Sequence, residues 1–169
     1  MEKNNIYTPY RRFESKDPLI FLAGPIMGAD DWHDQAIEII QRINNEVAIA
    51  SPKQNKYDEV KFSLEEQTDW ESYHLKKAAD QGSVIFWLAK EKNHFCQRAY
   101  AQTTRFELGE WNAKQIGRPL FLSVGIEDGF TNSGYIRRRI GQDNKRVNIC
   151  TTLEETCILA LQIINSRRV

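Results

Sequence analysis

The sequence has no excess of charge of either sign, because 23 Lys and Arg residues balance 23 Asp and Glu residues over 169 positions. A protein that holds nucleic acid through its phosphates needs a basic surface, so no nucleic-acid partner is expected. Apolar runs such as residues 84–88 and 157–161 are far shorter than the roughly 20 residues that span a bilayer. The amino terminus is polar, unlike a signal peptide. We therefore expect a cytoplasmic protein with no membrane partner.

Cysteine is scarce, and its spacing is uninformative. The chain has Cys96, Cys150 and Cys157, an odd number without a CxxC pair. This pattern favours neither a disulfide framework nor a thiolate metal site, and it predicts reduced thiols with Cys150 and Cys157 in the core. His33 and His94 have no partner at metal-ligand spacing, so no metal site is predicted.

The two commonest phosphate-binding motifs, GxGxxG and GxxxxGK[ST], are missing from the loop that follows the first apolar run. That loop reads Ala23-Gly24-Pro25-Ile26-Met27-Gly28. Its two glycines would allow a ligand to approach the backbone closely, and they would equally suit a tight turn without a ligand. Both interpretations stay open on the local sequence.

Apolar segments alternate with helical ones after a polar leader at residues 1–17. Strands are predicted over residues 18–23, 47–50, 83–88, 119–124 and 147–150. Helical periodicity or composition marks the segments around residues 32–43, 64–79, 103–115 and 153–164. This alternation predicts one α/β domain over residues 18–169, a flavodoxin-like three-layer sandwich with a five-stranded parallel sheet in the order 2-1-3-4-5. Ligands of such sheets bind beside the carboxyl ends of the strands, so the loops after strands one, three and four are the candidates.

The helix predicted over residues 103–115 begins with an acidic candidate, Glu107. Thr104 and Glu107 have capping-box spacing, which would make Glu107 a cap of the helix amino terminus. The alternative is functional: a carboxylate near the positive end of a helix dipole stays ionised and can act as a nucleophile. Gly109 is unusual here, because glycine inside a helix costs on the order of 1 kcal/mol relative to alanine. It predicts close packing by a neighbouring backbone or a ligand.

The helix predicted over residues 64–79 carries Glu71 and His74 at i and i+3, so both could face a common site. A solvated surface is the alternative for this pair, and a surface or core position is the alternative for His74 by itself. Arg137, Arg138 and Arg139 are either solvated charges or contacts for a substrate phosphate or a partner subunit.

Four segments, taken in order, resemble the nucleoside 2-deoxyribosyltransferase-like family. They are Ile-Phe-Leu-Ala-Gly-Pro at residues 20–25, Trp-Glu with His-Leu and Ala-Asp within residues 70–80, Val-Ile-Phe-Trp-Leu at residues 84–88, and Thr-Thr-Arg-Phe-Glu-Leu-Gly at residues 103–109. The resemblance covers residues 19 to 124. It implies a flavodoxin-like fold, assembly into homo-oligomers, and action on the N-glycosidic bond of nucleosides or nucleotides without a cofactor.

The resemblance also implies roles for particular residues. Glu107 matches the nucleophilic glutamate of the family, and Glu71 matches the acidic residue that contacts substrate from the preceding helix. The turn at Ala23, Gly24 and Pro25 matches the substrate-lining turn, and Thr104 falls in the same motif as Glu107.

Two further comparisons with the family concern the edges of that site. The segment from Asn132 to Tyr135 is the candidate equivalent of the segment by which, in several members, a neighbouring subunit completes the site. The chain departs from some members at Ala101, where they have an aspartate.

The chemistry of N-glycosidic cleavage suits two carboxyl groups. A carboxylate beneath C1′ stabilises the oxocarbenium-like transition state and then forms a covalent glycosyl ester, and a nearby acid protonates the leaving base. Attack by a second base makes the reaction a transfer, and attack by water makes it a hydrolysis. We therefore expect a nucleoside deoxyribosyltransferase. The alternatives are a nucleoside or nucleotide N-glycosidase and a non-catalytic nucleotide-binding or sensor domain.

Overall fold

The computed structural model describes residues 5–54, 62–95 and 97–167 of the chain. The strands are β1 (Ile6–Tyr7), β2 (Leu19–Ala23), β3 (Ala48–Ala50), β4 (Ser83–Leu88), β5 (Leu122–Ile126) and β6 (Ile149–Cys150). The helices are α1 (Trp32–Ile43), α2 (Leu64–Gln81), α3 (Gln102–Gln115), α4 (Ser133–Asp143) and α5 (Leu153–Arg167). The α/β class and the alternation of strands and helices are confirmed.

The strands form one parallel sheet in the order β1-β3-β2-β4-β5-β6. The prediction of five strands in the order 2-1-3-4-5 is therefore wrong for the whole sheet, because the polar leader contributes a sixth strand at the edge. Ile49 donates its backbone N–H to Asn5, and Ser51 donates to Tyr7, at 2.8 Å each. A two-residue strand is too short to show apolar periodicity, so the sequence pattern could not reveal it.

Helices cover both faces of the sheet, which gives the three layers of a flavodoxin-like sandwich. The side chains of β2 alternate as a buried strand requires: Leu19, Phe21 and Ala23 enter the core beneath α2, α3 and α4. Ile20 and Leu22 enter the second core, beneath α1 and α5. Because α2 follows β3 and α3 follows β4, the two strands that flank β2, their first turns lie at the carboxyl edge of the sheet on either side of β2.

Residues 11–17 of the leader are bound along the outer side of α2. Trp70 donates its indole N–H to the carbonyl of Arg11 at 2.9 Å, and Tyr73 donates its hydroxyl to the carbonyl of Phe13 at 3.2 Å. The backbone N–H of Phe13 donates to Nε2 of His74 at 3.0 Å, while Nδ1 of His74 lies 2.7 Å from the carbonyl of Trp70. Burial lowers the pKa of His74 to about 4, so the ring is neutral and Nε2 accepts. These bonds hold one side of α2 in place.

Replacing Phe13 with alanine is expected to lower the free energy of unfolding by about 3 kcal/mol. The Phe13 side chain is buried against the core that α2 covers, and its backbone is bound to His74 and Tyr73. Thermal or urea unfolding measures the loss. The control is Phe95→Ala, since that ring is half exposed and its removal should cost under about 1 kcal/mol. Equal losses in the two variants would contradict the inclusion of the leader in the cooperative fold.

The cysteines are placed differently from one another. Cys157 is buried, as expected, whereas Cys150 is only half buried at the edge strand β6. Cys96 lies outside the described residues. Among the helices of the described ranges, none is both long and apolar enough to cross a membrane.

Candidate functional site

A cavity of about 1120 Å³ lies between α2 and α3 and extends over the carboxyl end of β2. Its inner wall is apolar and includes Phe21, Ala23 and Leu75. Its upper rim is formed by the loops that follow β2 and β4, two of the three predicted loops, whereas the predicted loop after β5 is not among the described residues that line it. Six of the seven predicted site residues line it: Ala23, Gly24, Pro25, Glu71, Thr104 and Glu107.

The loop after β2 is shaped by two glycines. A Cβ on Gly24 would lie 2.3 Å from the carbonyl oxygen of Trp87 and 2.5 Å from the Trp32 ring, so only glycine fits there. Gly28 has a φ of +88°, and its carbonyl accepts the backbone N–H groups of Lys92 and Asn93 at 2.7 and 3.0 Å. The glycines make a tight turn, and that turn borders the cavity. The structure is therefore compatible both with a turn that binds nothing and with a turn that contacts a ligand.

Glu71 reaches the cavity from the first half of α2, the longest helix among the described residues. Its Oε1 accepts a hydrogen bond from Nε2 of Gln67 at 2.6 Å, one turn earlier on the same helix. The Gln67 amide also donates to the carbonyl of Pro52 at 3.3 Å, which ties this pair to the end of β3. Burial raises the pKa of the Glu71 carboxyl, and the bond from Gln67 opposes that rise.

His74 does not share the site of Glu71, so the prediction of a common site is wrong. It is fully buried on the leader side of α2, where it accepts from Phe13. A spacing of three residues allows a common face. The packing of the leader nevertheless separates these two side chains, and Glu71 alone lines the cavity.

Glu107 lies in the second turn of α3, so the capping-box interpretation of Thr104 and Glu107 is wrong. The helix begins at Gln102, its N-cap is Ala101 with a φ of +54°, and the cap makes no side-chain hydrogen bond among the described residues. Thr104 is buried at the third helical position. Because Glu107 does not cap the helix, its side chain is available to the cavity. It is half buried and lines the cavity opposite α2.

The pKa of Glu107 is raised to about 7, first by burial and then by the negative charges of Glu71 and Glu110. Near neutral pH Glu107 is therefore only partly ionised in the free protein, because burial and the neighbouring charges oppose the helix dipole. Because Glu71 repels the charge of Glu107, the two carboxyl groups titrate as a pair. Below about pH 7 the pair keeps one proton, so one member can be an acid while the other is a carboxylate.

Several residues that sequence reasoning missed hold the walls in place. Tyr100 donates its hydroxyl to the carbonyl of Ala89 at 2.7 Å, which closes the loop after β4. Arg105 donates to the carbonyl of Thr131 at 2.7 Å and stacks over the ring of Phe130. Of the missed residues described here, Gln67 is the one that the sequence could have indicated. It precedes Glu71 by four residues on a predicted helix, so the two side chains were expected to be neighbours.

Gly109 and Asn132 lie apart from the cavity lining. Within the described residues, no heavy atom lies within 4 Å of the position that a Cβ on Gly109 would occupy, so the predicted close packing is wrong within one chain. Asn132 is the exposed N-cap of α4, with a φ of +62°, and is not among the described residues that line the cavity. Its contribution to a neighbouring subunit's site stays a prediction.

The basic segment of α4 is engaged elsewhere. Arg137 donates to the carbonyl of Ile126 at 3.4 Å, and Arg139 forms an ion pair with Asp143 at 3.3 Å. Across residues 5–54, 62–95 and 97–167, no group of three or more His, Cys, Asp or Glu side chains is arranged to hold a metal ion.

Comparison with protein-family models finds no family that matches this chain, and a search of curated proteins finds no match either.

Proposed function

We propose that the protein cleaves or exchanges the N-glycosidic bond of a nucleoside or nucleotide, and that it is a nucleoside deoxyribosyltransferase. The observation that carries the proposal is the pair of carboxyl groups, Glu71 on α2 and Glu107 on α3, which line one cavity. Burial raises the pKa of both groups, and the charge of Glu71 raises that of Glu107 further. The reaction needs one ionised carboxylate to attack the sugar and one protonated carboxyl group to protonate the leaving group.

In the free protein the proton of the pair lies mainly on Glu107, because the charge of Glu71 is among the causes that raise the pKa of Glu107 to about 7. In the reactive form of the complex that proton lies on Glu71. In the first step, a carboxylate oxygen of Glu107 then bonds to C1′ of the sugar as the bond from C1′ to the base nitrogen breaks. The electron pair of the broken bond goes to the base nitrogen, which takes the proton of Glu71. The product is a glycosyl ester on Glu107 and a free base. The hydrogen bond from Gln67 orients the Glu71 carboxyl for this transfer.

In the second step, a nitrogen of an acceptor base attacks C1′ and releases the Glu107 carboxylate, while its displaced proton returns to Glu71. Two displacements at C1′ retain the configuration of the sugar. If water attacks instead, the same residues catalyse hydrolysis.

The resemblance of residues 19 to 124 to the nucleoside 2-deoxyribosyltransferase-like family supports the same roles for Glu107 and Glu71. It also assigns the turn of Ala23, Gly24 and Pro25 to substrate contact, which agrees with the position of the turn at the rim of the cavity. Oxocarbenium-like chemistry of this kind is carried by carboxyl groups alone, so no cofactor is included in the proposal.

The test is incubation of the purified protein with a panel of deoxynucleosides and their 5′-monophosphates, with and without an acceptor base, followed by chromatography. We expect a new nucleoside that forms only when the acceptor is present. Free base without an acceptor would instead establish a hydrolase. If no donor in the panel gave a product while ligands still raised the melting temperature, the chain would be a binding domain and the proposal would fail.

A further inference from the structure

The cavity of the candidate site extends well past the two carboxyl groups in both directions. Its lining includes Leu64 and Asp80 of α2, which lie about 24 Å apart along the helix axis at a rise of 1.5 Å per residue. Its volume of about 1120 Å³ exceeds the roughly 300 to 1,000 Å³ of a typical small-molecule pocket. Glu71 lies between these two ends, so the cavity has room on both sides of the proposed reaction.

The end of the cavity at the carboxyl edge of the sheet is apolar. It is lined by Ile26 and Met27 of the loop after β2, by Leu64 at the start of α2, and by Phe95 of the loop after β4. These four residues are between 46% and 85% exposed. Exposed apolar side chains that gather at one place mark a binding surface. A planar, weakly polar group such as a nucleobase suits this end.

The opposite end of the cavity, near the amino edge of the sheet, is cationic. It is lined by Lys76, Lys114 and Arg118. Lys114 pairs with Glu110, and Arg118 pairs with Asp80 at 2.7 Å, so both cations are held at the cavity in the free protein. Among the described residues, no hydrogen bond or ion pair engages the side chain of Lys76.

Two further arginines lie behind Arg118. Arg146 donates to the carbonyl of Arg118, and Arg167 donates to the carbonyl of Asp80, at 2.7 Å each. Burial and then the charge of Arg118 lower the pKa of the Arg167 guanidinium, so these like charges are close enough to repel each other. This end of the cavity therefore gathers five cationic side chains and two carboxylates, an excess of three positive charges. A chain of phosphate groups complements such an excess.

The spacing along α2 fits three phosphate groups better than one. Lys76 and Asp80 follow Glu71 by five and nine residues, or about 7.5 and 13.5 Å along the helix axis. In an extended nucleotide, whose single bonds are about 1.5 Å long, the first phosphorus lies about 6 Å from C1′ and the third lies about 12 Å from it. A sugar held at Glu71 therefore places its first phosphate beside Lys76, and only the third phosphate reaches the level of Asp80 and its partner Arg118.

We propose that the cavity binds a nucleoside 5′-triphosphate, with its base among the apolar side chains at the carboxyl edge and its phosphate chain on the cations from Lys76 to Arg118. The assignment rests on the proposed function, since it takes Glu71 and Glu107 as the groups that meet C1′. The reaction at C1′ is unchanged, and the phosphate chain stays on the sugar throughout.

The first test measures kcat/KM for each deoxynucleoside, its 5′-monophosphate and its 5′-triphosphate, with base exchange followed by chromatography. We expect the triphosphate to exceed the monophosphate by about tenfold or more, since a charge-assisted contact contributes about this much. Arg118→Met should bring the ratio of these two values close to one. Lys76→Met should lower the values for both phosphorylated donors by about tenfold relative to the deoxynucleoside.

The matched control is Arg139→Met on α4. Arg139 also pairs with an aspartate, Asp143, but neither residue is among the described residues that line the cavity. This variant should keep the triphosphate preference of the wild type, and melting temperatures should show that all three variants fold. Equal kcat/KM values for monophosphate and triphosphate in the wild type, or a preference that Arg118→Met leaves intact, would overturn the triphosphate site.

Binding measurements separate a failure of the triphosphate site from a failure of the proposed function. If donors react and the length of the phosphate chain makes no difference, the reaction stands and the triphosphate site is wrong. If no donor reacts, the proposed reaction is wrong, and isothermal titration calorimetry with the same nucleotides tests the site. The triphosphate should then bind about tenfold more tightly than the monophosphate in the wild type but not in Arg118→Met. Equal affinities in the wild type would overturn the site.

Discussion

Glu107→Gln is expected to lower kcat by about 1000-fold or more, with the fold preserved. An amide cannot form the glycosyl ester, and the proposed reaction has no other carboxylate beneath C1′. Chromatography of base exchange under single-turnover conditions measures the loss, and mass spectrometry of the wild type incubated with donor alone should detect the covalent ester. Full activity in Glu107→Gln would remove this residue from the mechanism.

The control for this variant is Glu110→Gln, one turn later on α3. Glu110 also lines the cavity but pairs with Lys114, so its amide should retain activity within about tenfold. The same substitution on the same helix thus separates a chemical role from a general loss of negative charge.

Stability gives a second control that does not depend on turnover. The folded pKa of Glu107 is raised to about 7, above the ordinary value of 4.5 for an unfolded chain. The folded state therefore binds the proton more tightly, and the wild type loses stability as pH rises from about 4.5 through 7. Glu107→Gln lacks this loss, so relative to the wild type it should gain about 2 kcal/mol between pH 5 and pH 8 after allowance for solvent screening in the cavity. A constant difference would contradict the raised pKa.

Glu71→Gln is expected to change the shape of the pH profile as well as the rate. In the wild type, kcat/KM should follow a bell whose alkaline limb lies near pH 7, where the pair loses its last proton. In Glu71→Gln no proton is available from the pair, and activity requires only the ionised Glu107. The alkaline limb should disappear, leaving a rate that rises with pH and levels off.

The midpoint of that rise should lie below pH 7, because the charge of Glu71 no longer raises the pKa of Glu107. The maximal rate should fall about 100-fold, which is an ordinary loss for a missing general acid. Glu110→Gln should keep the bell and move its alkaline limb slightly to lower pH. An unchanged bell in Glu71→Gln would assign the proton transfer to another group.

The elements of the fold were largely readable from the chain. The run at residues 83–88 coincides with β4, and α2 begins at Leu64 as predicted. β1 was missed because its two residues acquire strand geometry only by pairing with β3. The predicted start of α3 was wrong because Ala101 adopts a left-handed conformation, and an alanine in the sequence gives no indication of that conformation.

The position of a candidate site residue was predictable where its sequence motif and the predicted strand or helix beside it indicated the same edge of the sheet. Glu107 and the turn at Gly24 follow from the order of segments along a parallel sheet, whose strand ends converge. Glu71 was instead singled out by its helical spacing and by the family resemblance. The surroundings of His74 were left open because its partner, the backbone of Phe13, is 61 residues away in the chain. Contacts at that separation leave no periodic signal in the sequence.

What the sequence by itself determined is the class of fold, the positions of the inner strands and the residue types at the edge where ligands bind. Local apolar periodicity and turn chemistry act over a few residues, so they can be read from the chain alone. The tertiary structure decided the sixth strand, the sides of α2 that Glu71 and His74 occupy, and the protonation of the carboxyl pair. Each of these depends on burial and on groups far apart in sequence, and electrostatic energies follow distance and solvent exposure in space, whatever the spacing along the chain.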